Sequence, residues 1–295
     1  VIKTIKSLMT VCIERDNLEA YQYLVGEILR YQKNKCIIDT KFLEKYIAKC
    51  VSRGYFTFVP YLLSEGANLY TLLCMFCKTN NEVGINYVLQ FSYVDINETY
   101  LDETPLGYCI SNENVKMSLL LLDNDKINLH EVEEPDEEDE NKKAHKEKLN
   151  QPARYAFIES CRLGLSKVVS YFLQKKLFDM SVISDDMLNP LHLVCMSGDL
   201  ETFKEICKFK KMSINPNSKV KSGQYKGRTP LHFACISGNI EIVKMLLDHP
   251  KININIKDDN EWVPLQYAVY HGNTEIVSLL LDKDGIDVNV KSNDG

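Results

Sequence analysis

The chain has 295 residues, 45% of them hydrophobic, with 35 Lys plus Arg against 41 Asp plus Glu and a net charge of −6. That composition supports a large core and excludes a disordered or collagen-like chain. The acidic balance excludes a general polyanion binder, since non-specific nucleic-acid affinity comes from basic charge neutralising phosphates. The longest apolar stretch, Leu69 to Cys77, is nine residues, about half of what a membrane helix needs. Near the start, Lys3 and Lys6 precede a short apolar run that Glu14, Arg15 and Asp16 cut off, with no small-residue cleavage site after it. Ten cysteines show neither a disulfide framework nor zinc-ligand clustering, and the only close pair is Cys74 and Cys77. A soluble protein of a reducing, cytoplasmic compartment is expected.

In chain order, one pattern recurs. An apolar anchor is followed fifteen and sixteen residues later by an apolar pair. Met9 is followed by Leu24 and Val25, Ile47 by Leu62 and Leu63, Leu73 by Val88 and Leu89, and Leu106 by Leu121 and Leu122. Phe157 is followed by Phe172 and Leu173, Leu191 by Ile206 and Cys207, Leu231 by Leu246 and Leu247, and Leu265 by Leu280 and Leu281. All sixteen are apolar, as the buried face of a second helix requires. Thr104, Asn189 and Thr229 can cap a first helix, with Pro105, Pro190 and Pro230 at its first turn. Gly54, Gly164, Gly198, Gly238 and Gly272 each sit seven after an anchor and suit a left-handed helix end. Asp199, Asn239 and Asn273 come next and can cap the second helix. One helix pair cannot bury such a face, but stacked neighbours can.

The later copies are explicit: Asn189-Pro190-Leu191-His192, Thr229-Pro230-Leu231-His232-Phe233-Ala234 and Val263-Pro264-Leu265-Gln266, with anchors 40 and 34 apart. The pattern resembles the ankyrin repeat, whose signature is T-P-L-H-x-A at a period of about 33. The resemblance implies an all-α ankyrin-repeat solenoid of stacked helix-turn-helix units with short β-hairpin-like finger loops. About eight repeats are expected: one to four over 1–130, a charged insert over 131–150, and five to eight plus the start of a ninth over 151–295. Val1 is not an initiator Met and Gly295 falls where a further turn glycine belongs, so a piece of a longer chain is expected. The resemblance also assigns His192 and His232 to hydrogen bonds between repeats. Asn97, Asn215, Asn255 and Asn289, each 24 after an anchor, match an asparagine that is hydroxylated in some animal ankyrin proteins.

Three places depart from the pattern. Ile47 and Leu73 are only 26 apart, so a finger is expected to be missing between them. Leu106 and Phe157 are 51 apart, and the excess holds eight carboxylates between Glu131 and Glu140 followed by Lys142, Lys143, Lys146 and Lys148. Such a stretch cannot bury a core and reads as a solvated loop. From Lys208 to Arg228 there are seven basic residues and no acidic one. An acidic loop folding over this basic one as a self-inhibitory clasp is the rival to two independent solvated loops.

No phosphate-binding glycine loop, nucleophile elbow, zinc-protease or kinase motif is present. No enzyme activity, cofactor or metal is expected. Cys12, Cys50, Cys77, Cys109, Cys161, Cys195 and Cys235 fall three or four after anchors, where small packed side chains belong. The expected function is a protein-interaction scaffold, or the regulatory or targeting arm of a larger enzyme, channel or ubiquitin-ligase subunit. Residues just before each repeat glycine are the concave candidates, Ser52, Arg53, Arg162, Leu163, Met196, Ile236, Tyr270 and His271. Trp262 and Arg228 are the finger candidates, with Lys219, Lys221 and Lys226 supplying positive charge. A basic patch beside an aromatic anchor suits another protein, through an acidic peptide or phospho-motif, rather than a specific nucleic acid.

Overall fold

In five of the helix pairs, proline at the first position and a left-handed residue near the last define a short inner helix, and the outer helix follows after two or three residues. The computed structural model describes residues 2–15, 17–31, 40–54, 58–64, 68–98, 101, 103–127, 152–178, 182–208 and 215–291. The chain divides into two compact units, Val1–Ile127 and Asn128–Gly295. The charged insert at 131–150 and Lys210 and Lys211 of the basic loop lie outside the described residues.

The first unit holds α1 (Ile2–Glu14), α2 (Leu18–Tyr31), α3 (Thr40–Ser52), α4 (Phe58–Ser64), α5 (Leu69–Lys78), α6 (Glu82–Val88), α7 (Pro105–Ser111) and α8 (Val115–Leu122). The second holds α9 (Pro152–Leu163), α10 (Ser166–Gln174), α11 (Pro190–Ser197), α12 (Leu200–Lys208), α13 (Pro230–Ser237), α14 (Ile240–Leu247), α15 (Pro264–Tyr270) and α16 (Thr274–Leu281). No β-sheet occurs among the described residues. In the second unit α9, α11, α13 and α15 stack in order, and α10, α12, α14 and α16 form a parallel layer behind them. In the first unit α4 ends at Ser64 and α5, capped by Asn68, begins at Leu69; the missing finger expected between them falls on 65–67, outside the described residues. There α6 packs against α3 as well as α5.

The apolar pairs form the core where a neighbouring repeat covers them. Leu121, Leu122, Phe172, Leu173, Leu246 and Leu247 are buried, whereas Leu89 and Cys207 are half-buried and Leu281 is exposed. Leu281 departs from expectation because no described helix follows α16 to cover it. The side chains of Val25 and Leu62 lie outside the described set. Cys50, Cys77, Cys109, Cys161, Cys195 and Cys235 are buried thiols and Cys12 is half-buried. Burial raises the Cys207 thiol to about 11 and pushes Cys161 and Cys235 higher still.

Caps follow the sequence in part. Thr104 accepts the Gly107 amide at 3.1 Å and Asn189 the His192 amide at 3.0 Å. Asp199 accepts from Thr202 at 2.7 Å and Asn239 from Ile242 at 3.0 Å. Thr229 and Asn273 differ. The Thr229 hydroxyl meets His232 Nδ1 at 2.8 Å, and the Asn273 amide donates back to the Cys235 carbonyl at 2.8 Å. His232 lies three residues on in the same helix, so Thr229 still ties to its own first turn, whereas Asn273 reaches across to the repeat before.

Fingers close by backbone bonds from Ser184 to Leu188, Gly227 to Val220 and Asp258 to Trp262, each 2.9 Å. Asparagine rungs join neighbouring repeats within each unit, Asn97 in the first and Asn217 and Asn255 in the second. Asn97, Asn217 and Asn255 donate to the carbonyls of Lys126, Lys251 and Gly285 at 2.8, 2.6 and 2.7 Å. The rung is Asn217, not Asn215, because this repeat carries two extra residues before it. Asn215 instead accepts the Asn217 amide at 3.0 Å within the turn.

Gly227 has φ +81°, and a Cβ there would meet the Asp259 nitrogen at 2.7 Å and the Asp258 Cα at 2.8 Å, both backbone. Gly272 has φ +72° with open space around it. Gly272→Ala is expected to cost about 1–2 kcal/mol, the left-handed penalty alone. Gly227→Ala is expected to cost more, with hydrogen-exchange protection lost first in the Val220–Arg228 and Asp258–Trp262 fingers. Equal costs in urea titrations of the two variants would contradict the close approach.

Candidate partner-binding surface

Each finger in the second unit is held by the inner helix before it. The Asn189 and Thr229 amides donate to His192 and His232 Nδ1 at 3.2 and 3.0 Å. That leaves each Nε2 as the protonated nitrogen, and it donates forward to the Ser218 carbonyl at 2.8 Å and the Trp262 carbonyl at 3.1 Å. In α15, Gln266 stands in the same place and its Oε1 accepts the Val263 amide at 3.0 Å.

Asp258 organises the last finger. Its Oδ1 accepts the Asn260 and Trp262 amides, both at 2.9 Å, and its Oδ2 accepts the Tyr267 hydroxyl at 2.7 Å. Arg228 Nε lies 3.5 Å from the same Oδ2. Its guanidinium is 4.7 Å from the Tyr267 ring centroid and 5.3 Å from that of Tyr225. Burial, reinforced by the bond to Asp258, raises the Tyr267 hydroxyl to about 12. Asp258, Tyr225 and Tyr267 were not singled out from sequence. The available signal was an Asp four residues before Trp262, the spacing of a side chain closing its own loop.

The sequence candidates separate into two groups. Arg228 lies inside the finger stack between two tyrosines. Lys226 pairs with Asp259 at 2.7 Å, and Lys219 donates to the Lys257 carbonyl at 2.9 Å. Lys221 is exposed. The second group is a row across adjacent inner helices, two residues before each glycine: Arg162, Met196 and Ile236, half-buried, and Tyr270, 73% exposed. Trp262 joins it at one end, its ring 5.7 Å from Tyr270, which lies 5.2 Å from His271. At the other end Arg162 pairs with Glu159 at 3.2 Å and Asp186 at 3.4 Å. The row is apolar and aromatic in the middle, with charge at one end. Among the described residues no group of three or more His, Cys, Asp or Glu is placed to hold a metal, and no helix is long and apolar enough to cross a membrane.

Residues 157–258 and 191–292 each match the family model described as ankyrin repeats in three copies. The second unit carries ankyrin repeats. No curated protein matches the chain closely enough to be called a relative. Ankyrin repeats are in general protein–protein interaction modules, and solenoids of this kind use extended concave surfaces.

Burial lowers both His192 and His232 to about 4 from 6.5, against the opposing pull of their carbonyl partners. Between these values the unfolded chain binds protons that the folded chain does not. The ankyrin unit is therefore at full stability above pH 6.5 and loses it as pH falls toward 4, by up to about 1.4 kcal/mol per pH unit for each histidine. His232→Gln, copying Gln266, is expected to flatten that slope by about half in melts across this pH range. An unchanged slope would remove His232 as the cause.

Proposed function

We propose that the protein is a non-enzymatic interaction scaffold that grips a partner protein on the row formed by Met196, Ile236, Tyr270 and His271, with Trp262 at its end. The exposed Tyr270 ring set edge-on against Trp262 carries this reading. A large aromatic held by its neighbours offers contact area at little cost in conformational freedom. We also read all eight helix pairs as ankyrin-type repeats, since the sixteen helices follow the sequence register pair by pair. A reducing, cytoplasmic compartment is the reading for location, since seven of the nine described cysteines are buried in the helix packing. The scaffold reading holds equally if the repeats serve as the regulatory or targeting arm of a larger protein.

An acidic or phosphorylated partner segment is the finer reading, supported by Lys219, Lys221 and Lys226 at one finger. Asp258 and Asp259 stand against Arg228 and Lys226, so this finger presents less free charge than its sequence carries. Electrostatics is assigned a steering role and the apolar row the affinity.

A photo-crosslinking residue at Ile236 is expected to capture partner protein, and the same probe at Met245 on α14 is not. With that partner, Tyr270→Ala is expected to weaken binding about tenfold or more, roughly 1.4 kcal/mol. Lys219→Glu with Lys221→Glu is expected to slow association and reduce its salt dependence. Equal capture from both probe positions, or full affinity after Tyr270→Ala, overturns the assignment.

A further inference from the structure

The outer helices of the second unit turn charge toward water. Ten residues after their anchors they carry Lys167, Glu201, Glu241 and Glu275, all exposed, and Glu201 and Glu241 pair with Lys204 and Lys244 one turn on. Eighteen and twenty residues after the anchor, where the chain leaves the outer helix, polar residues are also found. They are Asn124 and Lys126 after Leu106, and His249 and Lys251 after Leu231. The repeat anchored at Leu73, in the first unit, departs at each of these positions. It carries Val83, 56% exposed, and then Phe91 and Tyr93.

Tyr87, Phe91 and Tyr93 form a continuous aromatic surface at the end of α6. The Tyr87 and Phe91 ring centroids are 5.5 Å apart and those of Phe91 and Tyr93 5.9 Å, with the rings edge-on at 69° and 64°. Tyr93 is 72% exposed. The rim of this surface is acidic. Asp95 lies two residues past Tyr93, and the Asn97 side chain donates to the Lys126 carbonyl at 2.8 Å, which brings the turn of Asp123 and Asp125 alongside. All three aspartates are exposed, and among the described residues no cation pairs with them. The Lys126 ammonium is held by the Ser92 carbonyl.

Contiguous exposed apolar surface marks an interaction site, and the charge around it selects the ligand. Carboxylates repel the phosphates of a nucleic acid, which removes base stacking as the use. A cation is attracted twice, by the ring faces and by the carboxylates. The chain satisfies this chemistry once internally, where the Arg228 guanidinium lies 5.3 and 4.7 Å from the Tyr225 and Tyr267 centroids and its Nε 3.5 Å from Asp258. We infer that the Tyr87, Phe91 and Tyr93 surface docks an arginine-bearing segment of a partner protein, with a guanidinium on a tyrosine face and paired with Asp95 or Asp125. Arginine is selected over lysine because its planar head stacks flat on a ring and bonds a carboxylate through two parallel N–H groups, whereas an ammonium is a strongly hydrated point charge. This surface lies in the first unit and does not depend on the row of α11, α13 and α15.

The probe is a synthetic peptide of alternating arginine and glycine with a photo-crosslinking group, offered to the full 295-residue chain beside lysine and citrulline versions. The arginine peptide is expected to crosslink within residues 87–95, mapped by mass spectrometry, and to bind at least about fivefold more tightly than the lysine peptide. Citrulline keeps the plane without the charge, and its peptide is expected not to bind. Tyr93→Ala removes an exposed ring and leaves every carboxylate in place; it is expected to weaken the arginine peptide about fivefold. Asp95→Asn with Asp125→Asn is expected to weaken it at least as much, and Asn retains the oxygen that accepts the Asn97 amide at 2.9 Å. Crosslinks confined to the carboxylates of 131–140 would reflect charge attraction alone and overturn the proposal. So would an absence of binding, equal affinity for the lysine peptide, or full affinity after either substitution.

Discussion

The imidazole of His232 joins three things at once: the start of its own helix, the hydroxyl of Thr229, and the backbone of the next finger. Such a bridge works only if the ring is neutral, with Nδ1 accepting and Nε2 donating. Burial among apolar neighbours enforces that state by disfavouring the charged form. His192 repeats the arrangement one unit earlier. Each repeat thus fixes the position of the finger that follows it, and the stack holds through nearest-neighbour coupling rather than through one central core. The asparagine rungs at Asn217 and Asn255 do the same on the other side of the fingers, from side chain to backbone carbonyl.

Charge is handled by the same local logic. Asp258 is almost fully buried, and a buried carboxylate is costly unless its lone pairs are filled. Two backbone amides, a tyrosine hydroxyl and Arg228 fill them. The Arg228 guanidinium is therefore committed to the finger, flanked by Tyr225 and Tyr267. What remains outward on the inner helices is the uncharged run of Met196, Ile236 and Tyr270. That row is uncharged in the middle because the charges of the second finger are largely used in joining it to the third.

Much of this was legible in the sequence where the cause is local. The anchors, the proline starts, the left-handed glycines and the apolar pairs reflect one helix and its immediate turn, and Gly198 and Gly238 adopt the expected left-handed end. Residues whose place depends on a neighbouring repeat were not legible. Asn273 gives its amide to the Cys235 carbonyl of the repeat before, a partner that a lone helix does not offer. Asn215 yielded its rung to Asn217 once the inserted residues were placed. Asp258 looked like one acid among several, and only the convergence of Arg228 and Tyr267 on it marks it out. Leu281 fits the apolar pattern and is exposed, because burial belongs to the interface and not to the residue.

The bridges that hold the stack also shape the binding row. Trp262 gives its carbonyl to His232 and its amide to Asp258, so its backbone is fixed from both sides. Its ring then rests on Tyr267, 5.1 Å away, whose hydroxyl is held by the same Asp258. Tyr270 meets that fixed ring edge-on with most of its own surface in water. A side chain already confined in this way loses little freedom when a partner covers it, and that loss is among the main costs of association. In the proposed binding mode, the polar groups buried behind the finger contribute without touching the partner. They act by holding two aromatic rings in place before the partner arrives.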